Sequence, residues 1–105
     1  MDLLEKKTYY NNLYDMYKKL LTEKQRTYFE KYYFEDYSLA EIASSYDVSR
    51  NAVFDQLKKT YSLLEKYEEK LNLHQKANMR FKAIDDYQRK AISIQEMIEK
   101  LKEME

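Results

Sequence analysis

The chain has 105 residues with no glycine, proline or cysteine, but twelve tyrosines; its length suits one domain. Without glycine neither a P-loop nor a Rossmann phosphate cradle can form, and primed hairpin turns are disfavoured. Without cysteine there is no disulfide, thiolate nucleophile or zinc knuckle, and one histidine cannot build a metal cage. The 19 basic and 19 acidic side chains cancel, so overall charge gives no support for a nucleic-acid partner.

The first helix is predicted from about Asp2 to Leu21, because Leu3, Tyr10, Leu13, Tyr14, Tyr17 and Leu20 recur at threes, fours and sevens. Thr22 opens Thr-Glu-Lys-Gln, a capping-box pattern, and the helix it starts should carry Tyr28, Phe29, Tyr32 and Tyr33 and stop near Glu35. Ser38 repeats the device as Ser-Leu-Ala-Glu, ahead of a short helix with Leu39, Ile42, Ala43 and Tyr46. Ser49 caps a long amphipathic run holding Val53, Leu57, Tyr61, Leu64 and Leu71, and Asn72 is its best terminator, since Asn tolerates the left-handed conformation. Beyond Asn72, Ala77, Ile84, Tyr87, Ala91, Ile94, Ile98 and Leu101 keep a three-four rhythm. They predict one long helix of roughly 40–45 Å at about 1.5 Å per residue. Part of its apolar face is expected to meet another chain.

The fold class expected is therefore all-α, with a helical domain over 1–71 and a C-terminal helix over 72–105 for packing or dimerisation. Within about 22–71, two short helices joined by Tyr46-Asp47-Val48-Ser49 describe a helix-turn-helix, with Ile42, Ala43, Tyr46, Val48 and Val53 as inner contacts. Asp47 stands where such turns usually place glycine, and Asp is among the few other residues that visit that conformation. The tyrosines at 9, 10, 14, 17, 28, 32 and 33 have the spacing of packing material, with rings inside and hydroxyls at the edge.

Three strings carry a resemblance: Leu-Thr-Glu-Lys-Gln-Arg at 21–26, Tyr-Ser-Leu-Ala-Glu-Ile-Ala at 37–43 and Val-Ser-Arg-Asn-Ala-Val at 48–53. They resemble region 4 of bacterial sigma factors. More narrowly, with Glu-Asp at 35–36, Val-Phe-Asp-Gln-Leu-Lys-Lys-Thr at 53–60 and Tyr-Glu-Glu-Lys-Leu at 67–71, they resemble the YlxM-type family of helix-turn-helix proteins. The resemblance covers about residues 13–82. It implies a sigma region 4-like head and a link to the signal recognition particle (SRP) targeting pathway, because the family's genes typically lie beside those of the particle GTPase or its receptor.

In a recognition helix the side chains facing away from the core at its N-terminal end meet base edges. Here that gives Arg50 for guanine and Asn51 for adenine. Ser49, Lys58 and Lys59 are placed for phosphates, whereas the Asp55 carboxylate weakens the DNA reading, since it repels phosphate unless it accepts from a cytosine amine. Phe54 beside Asp55 suits a protein contact equally well, so duplex DNA and an SRP protein or RNA component both stand as partners. Ile84, Tyr87, Ala91, Ile94, Ile98 and Leu101 are the expected homodimer face. The stretch His74, Lys76, Arg80, Lys82, Arg89, Lys90 reads as a solvated face balanced by Asp85 and Asp86.

No enzyme is expected. Asp85 and Asp86 are adjacent on a helix and do not face one another, and no nucleophile has a base beside it. No catalytic residue, cofactor or metal is expected. With no apolar run near 18 residues and no basic-then-apolar leader, the expectation is a cytoplasmic protein without membrane insertion.

Overall fold

The structure, a computed structural model, describes residues 2–104. Every regular element among them is helical: α1 Leu3–Tyr17, a 3-10 turn at Lys18–Leu20, α2 Glu23–Tyr33, α3 Leu39–Ser45, α4 Arg50–Leu71, α5 Leu73–Gln88 and α6 Ile94–Glu103. The described residues fall into two compact units that divide between Leu71 and Asn72.

The helix starts follow the cap residues. Asp2 accepts the Glu5 amide at 2.8 Å, Thr22 that of Gln25 at 3.2 Å, and Ser38 that of Glu41 at 3.0 Å. Gln25 and Glu41 each reach back to the cap amide, completing two capping boxes that satisfy amides no helical carbonyl can reach. The Ser38 amide, and then its hydroxyl, hold the Glu41 carboxyl below its ordinary value.

The helix stops use left-handed backbone without glycine. Asp36, Asp47, Asn72 and Lys90 have φ of 56°, 51°, 55° and 61°. At Asp47 the Val48 amide donates to the Ala43 carbonyl at 3.0 Å, a six-to-one bond of the Schellman type. Lys90 repeats it, with Ala91 donating to Asp86 at 2.9 Å and Lys90 to Tyr87 at 2.9 Å. A cation at a helix C-terminus also faces the negative end of the helix dipole.

In the first unit α4 is the spine against which α1, α2 and α3 pack. Leu13, Tyr14, Tyr17, Leu21, Tyr28, Phe29, Ile42, Ala43, Val53, Leu57 and Leu64 form one buried cluster. Phe29 stands at its aromatic centre, stacked on Tyr14 at 4.3 Å and on Tyr33 at 4.4 Å, with Tyr61 edge-on at 6.4 Å. Two phenols tie α1 to α4: Tyr9 donates to Glu65 at 3.1 Å and Tyr17 to Glu68 at 2.6 Å. Arg26 closes the α1–α2 corner by donating to the Leu21 carbonyl at 2.5 Å.

Three boundaries differ from the periodicity. The first helix gives way to the 3-10 turn after Tyr17 instead of running to Leu21, and α2 stops at Tyr33. The larger correction lies in the second unit, where the single long helix expected over 72–105 is two helices. α5 and α6 pack against each other as an antiparallel hairpin, with Met79 and Met104 lining the same cleft as Asp86 and Lys100. The break has a physical cause. Ser93-Ile94-Gln95-Glu96 is a third capping box: Ser93 accepts the Glu96 amide at 3.1 Å, and the Lys90 turn ends α5 just before it. The expected stripe is therefore divided. Ile84 and Tyr87 lie on α5, Ala91 in the connection, and Ile94, Ile98 and Leu101 on α6.

Candidate nucleic-acid interface

The helix pair that frames the site is α3 and α4, joined by Tyr46-Asp47-Val48-Ser49. Ile42, Ala43 and Val53 are buried at their contact and Val48 is half-buried. Tyr46, expected inside, is 41% exposed; its ring lies against Tyr28 at 5.5 Å, on the outer side of the turn. As the helix C-cap it sits where the chain leaves the helical path, so the three-four spacing that ran through Ile42 no longer governs its direction.

Ser49 fixes where α4 begins. Its hydroxyl oxygen accepts the Ala52 amide at 3.0 Å and its carbonyl accepts Val53 at 3.2 Å. The hydroxyl hydrogen remains available to an acceptor outside the protein. From there Val53, Leu57, Thr60 and Leu64 turn into the core, and the Thr60 hydroxyl is satisfied by the Gln56 carbonyl at 2.8 Å. This inward row locks the helix rotation, and the complementary row faces solvent. Ser49, Arg50, Asn51, Asp55, Lys58 and Lys59 are all exposed, as is Phe54 at 50%.

A groove of about 510 Å3 continues that row along the junction of α2 and α4, lined by Asp55, Lys58, Lys59, Ser62, Leu63, Lys66 and Gln25. Lys66 and Gln25 were not among the residues the sequence pointed to. Lys66 was legible, since it stands seven and eleven residues beyond Lys59 and Asp55 and so falls on the same helix face. Gln25 was not, because its approach to α4 is a tertiary fact. The groove brings three ammonium groups around one carboxylate, a balance suited to an anionic backbone.

The six residues of the expected dimer face are not brought together on one helix. Ile84, Tyr87, Ile94 and Ile98 are exposed large apolar side chains, Ala91 is exposed in the connection and Leu101 is half-buried. In the basic stretch, Lys82 pairs with Asp86 at 3.1 Å and Arg89 with Asp85 at 3.0 Å, both one helical turn apart. Among the described residues no group of three His, Asp or Glu is placed to hold a metal, and no helix is long and apolar enough to cross a membrane.

With this geometry in view, residues 4–104 match the family described as "Putative helix-turn-helix protein, YlxM / p13 like" (UPF0122). A UPF0122 protein of Oceanobacillus iheyensis is 46% identical over 105 residues, covering 98% of this chain and all of the relative. One of Lactococcus lactis subsp. cremoris is 44% identical over 102 residues, with 97% and 92% covered. One of Bacillus cereus is 57% identical over 74 residues, with 70% and 67% covered. The family is described by its helix-turn-helix and not by a catalysed reaction. The chain belongs to the UPF0122 family of YlxM/p13-like helix-turn-helix proteins.

Proposed function

We propose that this protein is a cytoplasmic helix-turn-helix regulator that lays the N-terminal turns of α4 in the major groove of duplex DNA and serves the SRP targeting pathway. One observation carries the DNA reading: the buried row Val53, Leu57, Leu64 turns Arg50, Asn51, Asp55 and Lys58 outward together. Arg50 and Asn51 then supply base contacts, and Ser49, Lys58 and Lys59 supply phosphate contacts, with Lys66 extending them down the groove. The link to targeting rests on the family resemblance of the sequence strings. The reading includes a homodimer through the exposed apolar residues of α5 and α6. Titration of the protein with duplex from its own operon and with random duplex tests it. Preference for the operon duplex, reduced about tenfold or more by Arg50→Ala, is expected; equal affinity for both duplexes contradicts it.

A second reading is favoured by Phe54, an exposed apolar ring beside Asp55 on the same face. On that reading the chain is an accessory protein that binds an SRP protein or RNA component without reading DNA sequence. Affinity capture from the native cytosol, with and without nuclease, separates the two. Retention of the particle GTPase, its RNA or its receptor supports the accessory role, and their absence counts against it.

A further inference from the structure

The first unit contains a second cavity, of about 490 Å3, walled by Tyr10, Tyr32, Tyr33, Tyr37 and Tyr61. Small-molecule sites commonly occupy about 300–1,000 Å3. The rings fix one another: Tyr10 and Tyr61 are 4.9 Å apart, Tyr33 and Tyr61 5.9 Å, and Tyr32 and Tyr33 5.3 Å. The Lys31 ammonium lies over the Tyr37 ring, 4.9 Å from its centre. Burial raises the ionisation of Tyr10, Tyr33 and Tyr61, so these phenols keep their protons at neutral pH. None of these residues belongs to the recognition row of α4.

The charged residues of the same cavity decide what it takes. Lys6 and Lys7 line it from α1, and Asp36 is the one carboxylate residue in its lining. Aromatic walls are the usual cage of quaternary ammonium ligands, but two ammonium groups against one carboxylate oppose a cation here. An aliphatic ligand would leave the phenols and both charges unused. A flat ring with a polar edge and an attached anion uses every part: rings stack on rings, lysines take the anion, and Asp36 accepts from an amino group.

We propose that this cavity binds one nucleotide, its base packed among Tyr32, Tyr37 and Tyr10 and its phosphate held by Lys6 and Lys7, with preference for a base that carries an amino group. The nucleotide comes either as a free monophosphate or as an unpaired residue of a single strand. Calorimetric titration of the full chain with AMP, GMP, CMP and UMP, with the parent nucleosides, and with a short single strand with or without its central base tests this. The amino-bearing monophosphates should bind more tightly than UMP and than their nucleosides, or the intact strand more tightly than the abasic one; the second result alone identifies a strand as the source. Tyr32→Ala should weaken binding about tenfold, the loss expected of one stacking ring, while Tyr32→Phe retains it. The exposed pair Lys6→Ala/Lys7→Ala should weaken the phosphorylated ligands and not the nucleosides, and decides the matter if Tyr32→Ala fails to fold. Arg50→Ala should leave the affinity for the free monophosphates unchanged whether or not α4 reads DNA. Failure of every monophosphate and strand to bind, equal binding of abasic and intact strands together with equal binding of monophosphates and nucleosides, or indifference to the lysine pair would overturn the assignment.

Discussion

At Asp47 a carboxylate residue occupies a position with φ of 51°, where most side chains clash with their own backbone. The sequence announced this position. With no glycine in the chain, the residues best able to take its place between helices were Asp36, Asp47 and Asn72, and all three lie in the left-handed region. Lys90 was not announced, because lysine has no special tolerance for that region and nothing local marks it. Asp47→Val should destabilise the first unit by about 1–2 kcal/mol, whereas Asp47→Gly should change it by less than about 1 kcal/mol, because relief of the clash is offset by unfolded-state entropy. Urea midpoints of the two variants check this; equal losses would mean that the turn does not depend on the left-handed conformation.

Tyr9 makes a second prediction at the same scale. Burial, and then the Glu65 carboxylate that accepts its hydroxyl, push its ionisation up from 10.0 to about 12. A raised folded value means that the native state holds the proton more tightly than the unfolded chain does. The contribution is therefore complete below pH 10 and is lost as pH rises toward about 12. Denaturant midpoints measured across that window should fall for the natural protein and fall less steeply for Tyr9→Phe. Parallel curves for the two would remove Tyr9 from the account.

At the scale of elements, every α-helix start among the described residues except that of α5, where Asn72 makes no side-chain cap bond, is set by a side chain. In the first unit the caps Thr22, Ser38 and Ser49 were legible as a small polar residue ahead of an apolar run. In the second unit the capping box Ser93-Ile94-Gln95-Glu96 has the same spacing as those at Thr22 and Ser38 but was hidden by an apolar rhythm that runs unbroken across the turn. Periodicity reports which residues are apolar, and two helices with a five-residue break can preserve it by chance. Replacing Ser38 or Ser93 with Ala should cost about 1 kcal/mol each. Ser38→Ala should lower the unfolding midpoint of the first unit, and Ser93→Ala should speed amide exchange in α6 without affecting α2 or α3. Unchanged exchange in α6 would show that the hairpin does not need its cap.

At the scale of the whole molecule, the buried apolar cluster draws all its members from residues 13–64, so the first unit carries its own core. Between 72 and 104 the buried residues are the small side chains Ala77 and Ala83, while Phe81 is 67% exposed and Ile84, Tyr87, Ile94 and Ile98 also face outward. A chain ending at Leu71 is therefore expected to keep the circular dichroism and cooperative melting of a folded helical domain, and by sedimentation to lose the dimer proposed for the full chain. A truncated chain that still sediments as a dimer would move the interface out of α5 and α6; one that melts without cooperativity would show that the hairpin completes the fold. The head was legible from spacing because its contacts are local in sequence and punctuated by caps. The approach of Gln25 to the α4 groove and the tyrosine-walled cavity were not, since each joins side chains from separate helices.

The central claim is that α4 reads duplex DNA, and the salt dependence of duplex binding tests it most directly. Each phosphate neutralised should contribute about −0.9 to the slope of log affinity against log salt. The operon duplex should bind with a steep slope that becomes shallower by about one unit in Lys58→Ala and again in Lys59→Ala. Arg50→Ala should instead abolish the preference over random duplex with little change in slope. A shallow slope with no preference, unaltered by all three substitutions, would contradict the claim and leave the α4 face to a protein partner.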